Sequence, residues 1–300
     1  MSAQYKEGPR LYDPAALQPD LELISAALGA QPRSFEPVNQ GGYTRSLSWR
    51  VETAGGPAFV KQAEDEASLH MLRREALVYE HVRGPFLPGY IGFADAGCRA
   101  ALAIELLEDA LWPPPYPGDV TPLFDALEEV AATAPPAELP SWKHEPSRWE
   151  RVAADVSPFI GLGLCSETWL ERALPTLIAA ELDAVDVGDD LVHNDVYSGN
   201  VAFDGDRAVL VDWGAAAKGS RWVDVAFAVL SVRVEGGELP PVDLPNEGAH
   251  AASLAGHFAL EAPKPPPDWS PPGSTLREDM IGDLAHALRW AAEALELPLP

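Results

Sequence analysis

The stretch LVHNDVYSGNVAFDGDRAVLVDWG, residues 191–214, constrains the fold most. Its apolar ends read as strands, while its middle carries His193, Asn194, Asp195, Asn200 and Asp212. Polar groups beside a core cost free energy unless they find partners. These side chains therefore either satisfy one another in a turn network or hold something that is not protein. The turn signal Asp204-Gly205-Asp206 folds VAF back against AVLV as a hairpin. That brings Asp212, at the end of the second strand, near Asn200, at the start of the first. Asp195, Asn200 and Asp212 then converge as hard oxygen donors. Two carboxylates and an amide, with no His or Cys cluster beside them, suit Mg²⁺ better than zinc, and magnesium is usually completed by water and substrate phosphates.

Around this segment the chain changes character. Residues 14–29 read as a short helix ending at Gly29. The alternation Ser46-Leu47-Ser48-Trp49-Arg50-Val51 has the period of a half-buried strand, and glycine pairs punctuate it into three antiparallel strands near 34–40, 44–53 and 57–62. A helix over 66–83 follows, with Leu69, Leu72, Ala76 and Tyr79 on one face, and then two more strands, GYIGFADAG and RAALAIELLE. Beyond Glu108 five prolines between 113 and 122 suit a stiff extended crossing. The rest is mainly helical. Residues 166–183 carry an apolar stripe with Ser166 as N-cap, and the last helix has a Thr275 to Glu278 capping box and a stripe through Ile281, Leu284, Leu288, Ala291 and Leu295.

Composition narrows the partners. The 21 basic and 46 acidic residues give a net charge of −25, which argues against nucleic acid and permits a cationic substrate. No apolar run is long enough for a membrane span, no secretory signal is visible, and two cysteines, Cys98 and Cys165, frame neither disulfides nor a zinc site; a cytoplasmic location is the default. Lysine is scarce, at five residues, so Lys61 at the end of the apolar strand AFVK stands out.

The run H-N-D-V-Y-S-G-N followed by V-D-W-G resembles the catalytic and metal loops of the aminoglycoside phosphotransferase and choline kinase-like family, small-molecule relatives of the protein kinases. The likeness is sharpest over 190–228, fainter over 36–108 and weak over 112–165 and 235–300. It implies an α+β, bilobal protein-kinase-like fold: a small antiparallel β lobe with one helix (residues 1–107, nucleotide-binding) and a larger mainly helical lobe (108–300) with the catalytic and metal loops and the acceptor site. By the same resemblance Asp195 is the catalytic base, and Asn200 and Asp212 hold Mg²⁺ against the phosphates of ATP or GTP. His193 props the loop, and Asp224 hydrogen-bonds its backbone. Asn194 departs from the family's usual Gly, but Asn tolerates positive φ better than most side chains. Lys61 reaches the α/β-phosphates, with Glu75 as its partner by family spacing and Glu66 and Glu80 as runners-up. The Gly41-Gly42 turn lies over the phosphates, and the main chain at Glu105 and Leu107 holds the nucleobase.

The function expected is transfer of the γ-phosphate of a nucleoside triphosphate to a hydroxyl of a small, cationic molecule, either aminoglycoside-like or an amino alcohol. Glu278, Asp279 and Asp283 are acidic candidates for the acceptor site, although capping and solvation account for them equally well. Trp142, Trp149, Trp169 and Trp222 offer a cage for a quaternary ammonium, but core packing is the commoner use of such residues. A catalytically silent pseudokinase acting as a binding module is the alternative, against which the intact Lys61, Asp195, Asn200 and Asp212 count. A protein kinase is a third reading, weakened by the lack of an A-P-E-like segment after Asp212.

Overall fold

The alternation that begins at Leu47 becomes a strand with Leu47, Trp49 and Val51 buried on one face and Ser48 and Arg50 on the other. In the computed structural model, which describes residues 18–38, 46–63, 65–116, 118–142, 147–271 and 273–300, it is β2 (Leu47–Thr53) of a five-stranded antiparallel sheet. The other strands are β1 (Ser34–Pro37), β3 (Gly56–Ala63), β4 (Tyr90–Asp95) and β5 (Ala100–Glu105), in the order β1-β2-β3-β5-β4. The expected Gly41-Gly42 turn lies outside the described residues.

Each face of this sheet is covered by a helix, and the strand period decides which residues meet which. Helix α1 (Leu21–Leu28) packs Leu23, Ile24 and Ala27 against Trp49, Val51, Val60, Ala101 and Ala103. It starts later than residue 14 because Asp20, after Pro19, accepts the Leu23 N–H as N-cap, which fixes the first turn. Helix α2 (Glu66–His81), capped by Asp65, lies on the opposite face and buries Leu69, Leu72, Ala76 and Tyr79 as the spacing predicts. It buries Glu75 on the same side. It stops at His81, two residues before the expected end, since Val82 is already extended and leads into Gly84.

Beyond the sheet lie α3 (Thr121–Ala131), α4 (Arg148–Ala154), α5 (Ser157–Ile160) and α6 (Glu167–Leu182), then α7 (Trp222–Val234), α8 (Glu247–Glu261) and α9 (Leu276–Ala294). Between α6 and α7 run β6 (Asp190–Val192), paired with β9 (Ala217–Gly219), and the hairpin of β7 (Val201–Asp204) and β8 (Arg207–Leu210). Helix α7 has no polar face: nearly every side chain from Val223 to Val232 is buried, the pattern of a helix enclosed by its neighbours. Ser166 caps α6 as expected. The Thr275–Glu278 capping box does not form: Thr275 is not extended, its hydroxyl donates to Asp279 (2.7 Å), and Ser274 takes the Leu276 N–H instead. Trp149 and Trp169 are core residues whose indole N–H groups are spent on the carbonyls of Ala252 and Pro298, so they do not form a ligand cage. Among the described residues no helix is long and apolar enough to cross a membrane.

Candidate active site

The β6–β9 and β7–β8 pairs place two polar segments, residues 193–200 and 211–214, side by side. Asn194 and Asp212 both adopt left-handed backbone, at φ 64° and 66°. Such a conformation in a residue other than glycine persists only where its surroundings enforce it. Here they do. The buried carboxylate of Asp224, on the first turn of α7, accepts the backbone N–H of His193 and of Asn194, both at 2.7 Å. Burial pushes that carboxyl up to about 7, against the pull of the two N–H groups. The His193 ring packs edge-on against Trp213, 4.5 Å between centroids, and its Nε2 lies 2.9 Å from the Val211 carbonyl. A carbonyl only accepts, so Nε2 carries the proton; burial holds the ring neutral, with its pKa lowered to about 4. His193 and Asp224 thus both bond to the backbone of these two segments.

Asn200 ties the two segments together. Its side-chain N–H₂ donates to both the backbone carbonyl (3.0 Å) and the carboxylate (2.9 Å) of Asp195, and its backbone carbonyl accepts the N–H of Val211 at 2.9 Å. With the amide nitrogen committed to Asp195, its oxygen is left to face a ligand. The Asp195 carboxyl is pushed up to about 7, first by burial and then by the charge of Asp212, with the Asn200 hydrogen bond opposing.

Lys61 joins the sheet to this cluster. From β3 its ammonium reaches Glu75 of α2 at 2.8 Å and Asp212 at 3.0 Å. Burial works against the ammonium, but the charges of Asp212 and Glu75 outweigh it and raise its pKa above the ordinary lysine value. Burial likewise opposes ionisation of Asp212, and Lys61 prevails, holding that carboxyl below the usual range. The Asp212 side chain is still 47% exposed and so open to a ligand. The runner-up carboxylates have other places: Glu80 binds the Tyr90 hydroxyl, and Glu66 sits in the first turn of α2. Gly214 lies close under α2, where an added Cβ would sit 3.0 Å from Cβ of Met71 and press on it.

The donor set fits a hard divalent cation. Asn200 and Asp212 offer oxygen, and among the described residues no group of three or more His, Cys, Asp or Glu side chains gathers into a closed cage. An incomplete oxygen set beside a fixed ammonium is the arrangement that magnesium shares with phosphates. At the end of β5, Glu105 gives its N–H to Gly89 (2.7 Å), so a nucleobase contact from this residue falls to its carbonyl and to Leu107.

Three further contributors were not assigned from the sequence. Asp283 of α9, an acceptor-site candidate for which capping or solvation accounted just as well, is half-buried and close enough for its charge to raise the Asp195 carboxyl. Its own carboxyl is pushed up to about 7 by burial and then by Asp279 and Glu235. Glu278 and Asp279 are exposed, as expected of solvated residues. Arg50 shares a sheet face with Lys61, because Ser48 is the partner of Lys61 and Arg50 lies two residues on. It ion-pairs Glu108, just past β5, at 2.6 Å. The third, Trp112, reaches the Asn200 turn from the linker. Asp283 was visible as an acidic acceptor-site candidate and Arg50 through its alternating strand, whereas Trp112 left no signal.

The profile of the phosphotransferase enzyme family, APH, matches residues 35–258, most of the chain, and takes in Lys61, Glu75, Asp195, Asn200 and Asp212. The chain belongs to that family. It is accordingly a small-molecule kinase with the bilobal protein-kinase-like fold, and solved structures bear the fold out. Spectinomycin phosphotransferase APH(9)-Ia, in complex with ADP and spectinomycin, is 13% identical with a TM-score of 0.57, covering 92% of this chain and 98% of that one. A putative fructosamine-3-kinase from Thermobifida fusca is 20% identical with a TM-score of 0.52, over 90% and 98% of the two chains. A choline/ethanolamine kinase family protein from Mesorhizobium loti is 13% identical with a TM-score of 0.50, over 85% and 92%. No curated protein matches the chain in sequence. The phosphotransferase family thus accounts for the fold and the reaction class, while the structural neighbours named here differ in the acceptors their names give.

Proposed function

We propose that this phosphotransferase moves the γ-phosphate of a nucleoside triphosphate to a hydroxyl of a small cationic molecule, with Asp195 as the base that takes the hydroxyl proton. One observation carries this reading: Lys61, Glu75 and Asp212 form a single ion-paired group next to an Asp195 whose carboxyl is oriented by Asn200. Phosphoryl transfer needs positioning and charge stabilisation more than covalent help from the protein, and each role has a candidate. Lys61, fixed by Glu75, meets the phosphates. Asn200 and Asp212 would hold Mg²⁺, which when bound neutralises charge on the phosphate oxygens. The complexes of structurally similar proteins with ADP are consistent with a nucleotide beside Lys61.

A cationic acceptor is supported by the surroundings of Asp195. Asp283, Asp279 and Glu235 lie within electrostatic reach of one another, and Asp283 within reach of Asp195. An ammonium among them would relieve the repulsion that, after burial, raises the Asp283 and Asp195 carboxyls. Aminoglycosides and amino alcohols both meet that requirement.

The test is Asp195→Asn, assayed by nucleoside diphosphate release against aminoglycosides, amino alcohols, macrolides and sugars with Mg²⁺-ATP. Loss of a positioned base lowers turnover by about 10²–10⁴-fold, with nucleotide binding retained. Turnover of a confirmed acceptor at the parental rate would remove Asp195 from the mechanism.

A further inference from the structure

The linker that leaves the small lobe is tied directly to the turn that carries Asn200. Leu111 pairs with Phe203 of β7 in both directions, its N–H to the Phe203 carbonyl at 2.8 Å and the Phe203 N–H to its own carbonyl at 3.0 Å. The next residue, Trp112, donates its indole N–H to the carbonyl of Gly199 at 2.8 Å. That carbonyl belongs to the peptide unit that ends in the N–H of Asn200, and a peptide unit is a rigid plane. Its other end is also held, because the Asn200 N–H donates to the Tyr197 carbonyl at 2.9 Å. Trp112 and Tyr197 therefore clamp the two ends of the plane from which the Asn200 side chain springs. The same turn is anchored from the large lobe, where Ser231 Oγ accepts the Ser198 N–H at 3.0 Å and Glu235 accepts the Ser198 hydroxyl at 2.8 Å. Trp112 differs from these anchors in its origin: it follows the connector that begins where β5 ends at Glu105.

We propose that Trp112 is a positioning residue that couples occupancy of the nucleotide connector to the orientation of the Asn200 amide. The inference rests on the reading of that amide as a magnesium donor and of the connector at Glu105 and Leu107 as the seat of the nucleobase. A ligand that settles the connector settles Leu111 and Trp112, and with them the Gly199–Asn200 peptide. Linkage makes the effect reciprocal, so nucleotide and Mg²⁺ each bind more tightly in the presence of the other.

Trp112→Phe tests this by keeping the ring and removing the N–H donor. ADP binding is measured by calorimetry with and without Mg²⁺ on parent and variant, alongside thermal unfolding. The factor by which Mg²⁺ tightens ADP binding is expected to shrink about fivefold in the variant, the worth of one typical net hydrogen bond, while metal-free ADP affinity stays at the parental value and the thermal midpoint falls by no more than the few degrees that one such bond is worth. A variant whose Mg²⁺ enhancement equals that of a responsive parent overturns the Trp112 assignment alone. A fall in all three quantities together overturns it too, since that is general loosening. A parent whose ADP binding ignores Mg²⁺ overturns the reading of the site and the assignment with it. A second measurement needs no variant: metal-free ADP is expected to slow amide hydrogen exchange at Gly199 and Asn200 in the parent, and unchanged exchange there overturns the coupling.

Discussion

As the proposed base, Asp195 would work near neutrality. Burial and the Asp212 charge hold its carboxyl at about 7, and a base has to be ionised before it accepts a proton. The value of kcat/KM for the nucleotide, which reports the free enzyme, is therefore expected to climb as pH rises through about 7 and to level above it. A pH–rate profile checks this; an acid limb near 4, the ordinary carboxylate value, contradicts the placement of Asp195 in a dry, negatively charged setting. The residues of this site differ in how far the sequence disclosed them. His193, Asp195, Asn200 and Asp212 form a local pattern with fixed spacing, and a local pattern survives in one dimension. Lys61 was readable from its strand and the scarcity of lysine. Asp283 was only a bare candidate, because its meaning depends on where α9 docks, far along the chain from the catalytic loop. Trp112 gave no signal at all: it stands in a proline-rich crossing whose hydrogen bonds depend on tertiary placement.

Elements show the same division. Strand β2 and helix α2 were legible because period two and period 3.6 each label a buried face. The contact between α1 and the sheet was not, since it is made partly by backbone. At Gly92 of β4 an added Cβ would lie 2.2 Å from the Ala27 carbonyl of α1. Gly92→Ala is thus expected to push α1 off the sheet and to destabilise the protein by about 1–3 kcal/mol, the usual range for overpacking, read by denaturant unfolding. Helix α8 carries a second liability. His250 is buried with Nε2 unpartnered, and burial lowers its pKa to about 4. The unfolded chain, with an ordinary histidine near 6.5, binds the extra proton between about 4 and 6.5, so His250 stabilises fully above that window and loses its contribution as pH falls through it. Asp195, Asp224 and Asp283, each raised to about 7, act in the opposite sense. His250→Gln should therefore change the slope of unfolding free energy between pH 6.5 and 4 by up to about 1.4 kcal/mol per pH unit, toward greater acid tolerance. An unchanged slope places the acid sensitivity elsewhere.

On the scale of the whole molecule, a net charge of −25 surrounds a site already lined with carboxylates. Attraction of a cation by such a field is screened by salt, with a Debye length of about 10 Å at 0.1 M. The KM of a polycationic acceptor should rise severalfold between low and physiological ionic strength, whereas that of a neutral sugar stays flat; equal responses would count against a cationic acceptor. The fold itself was legible at this scale because the order of strands, linker and helices follows the order of patterns along the chain, whereas the docking of α9 and the linker had to be seen in three dimensions. Lys61 touches Glu75 in one lobe and Asp212 in the other. One ammonium thus rivets the sheet to the loop beneath it, so any device that silences the enzyme by moving α2 has to break that contact first.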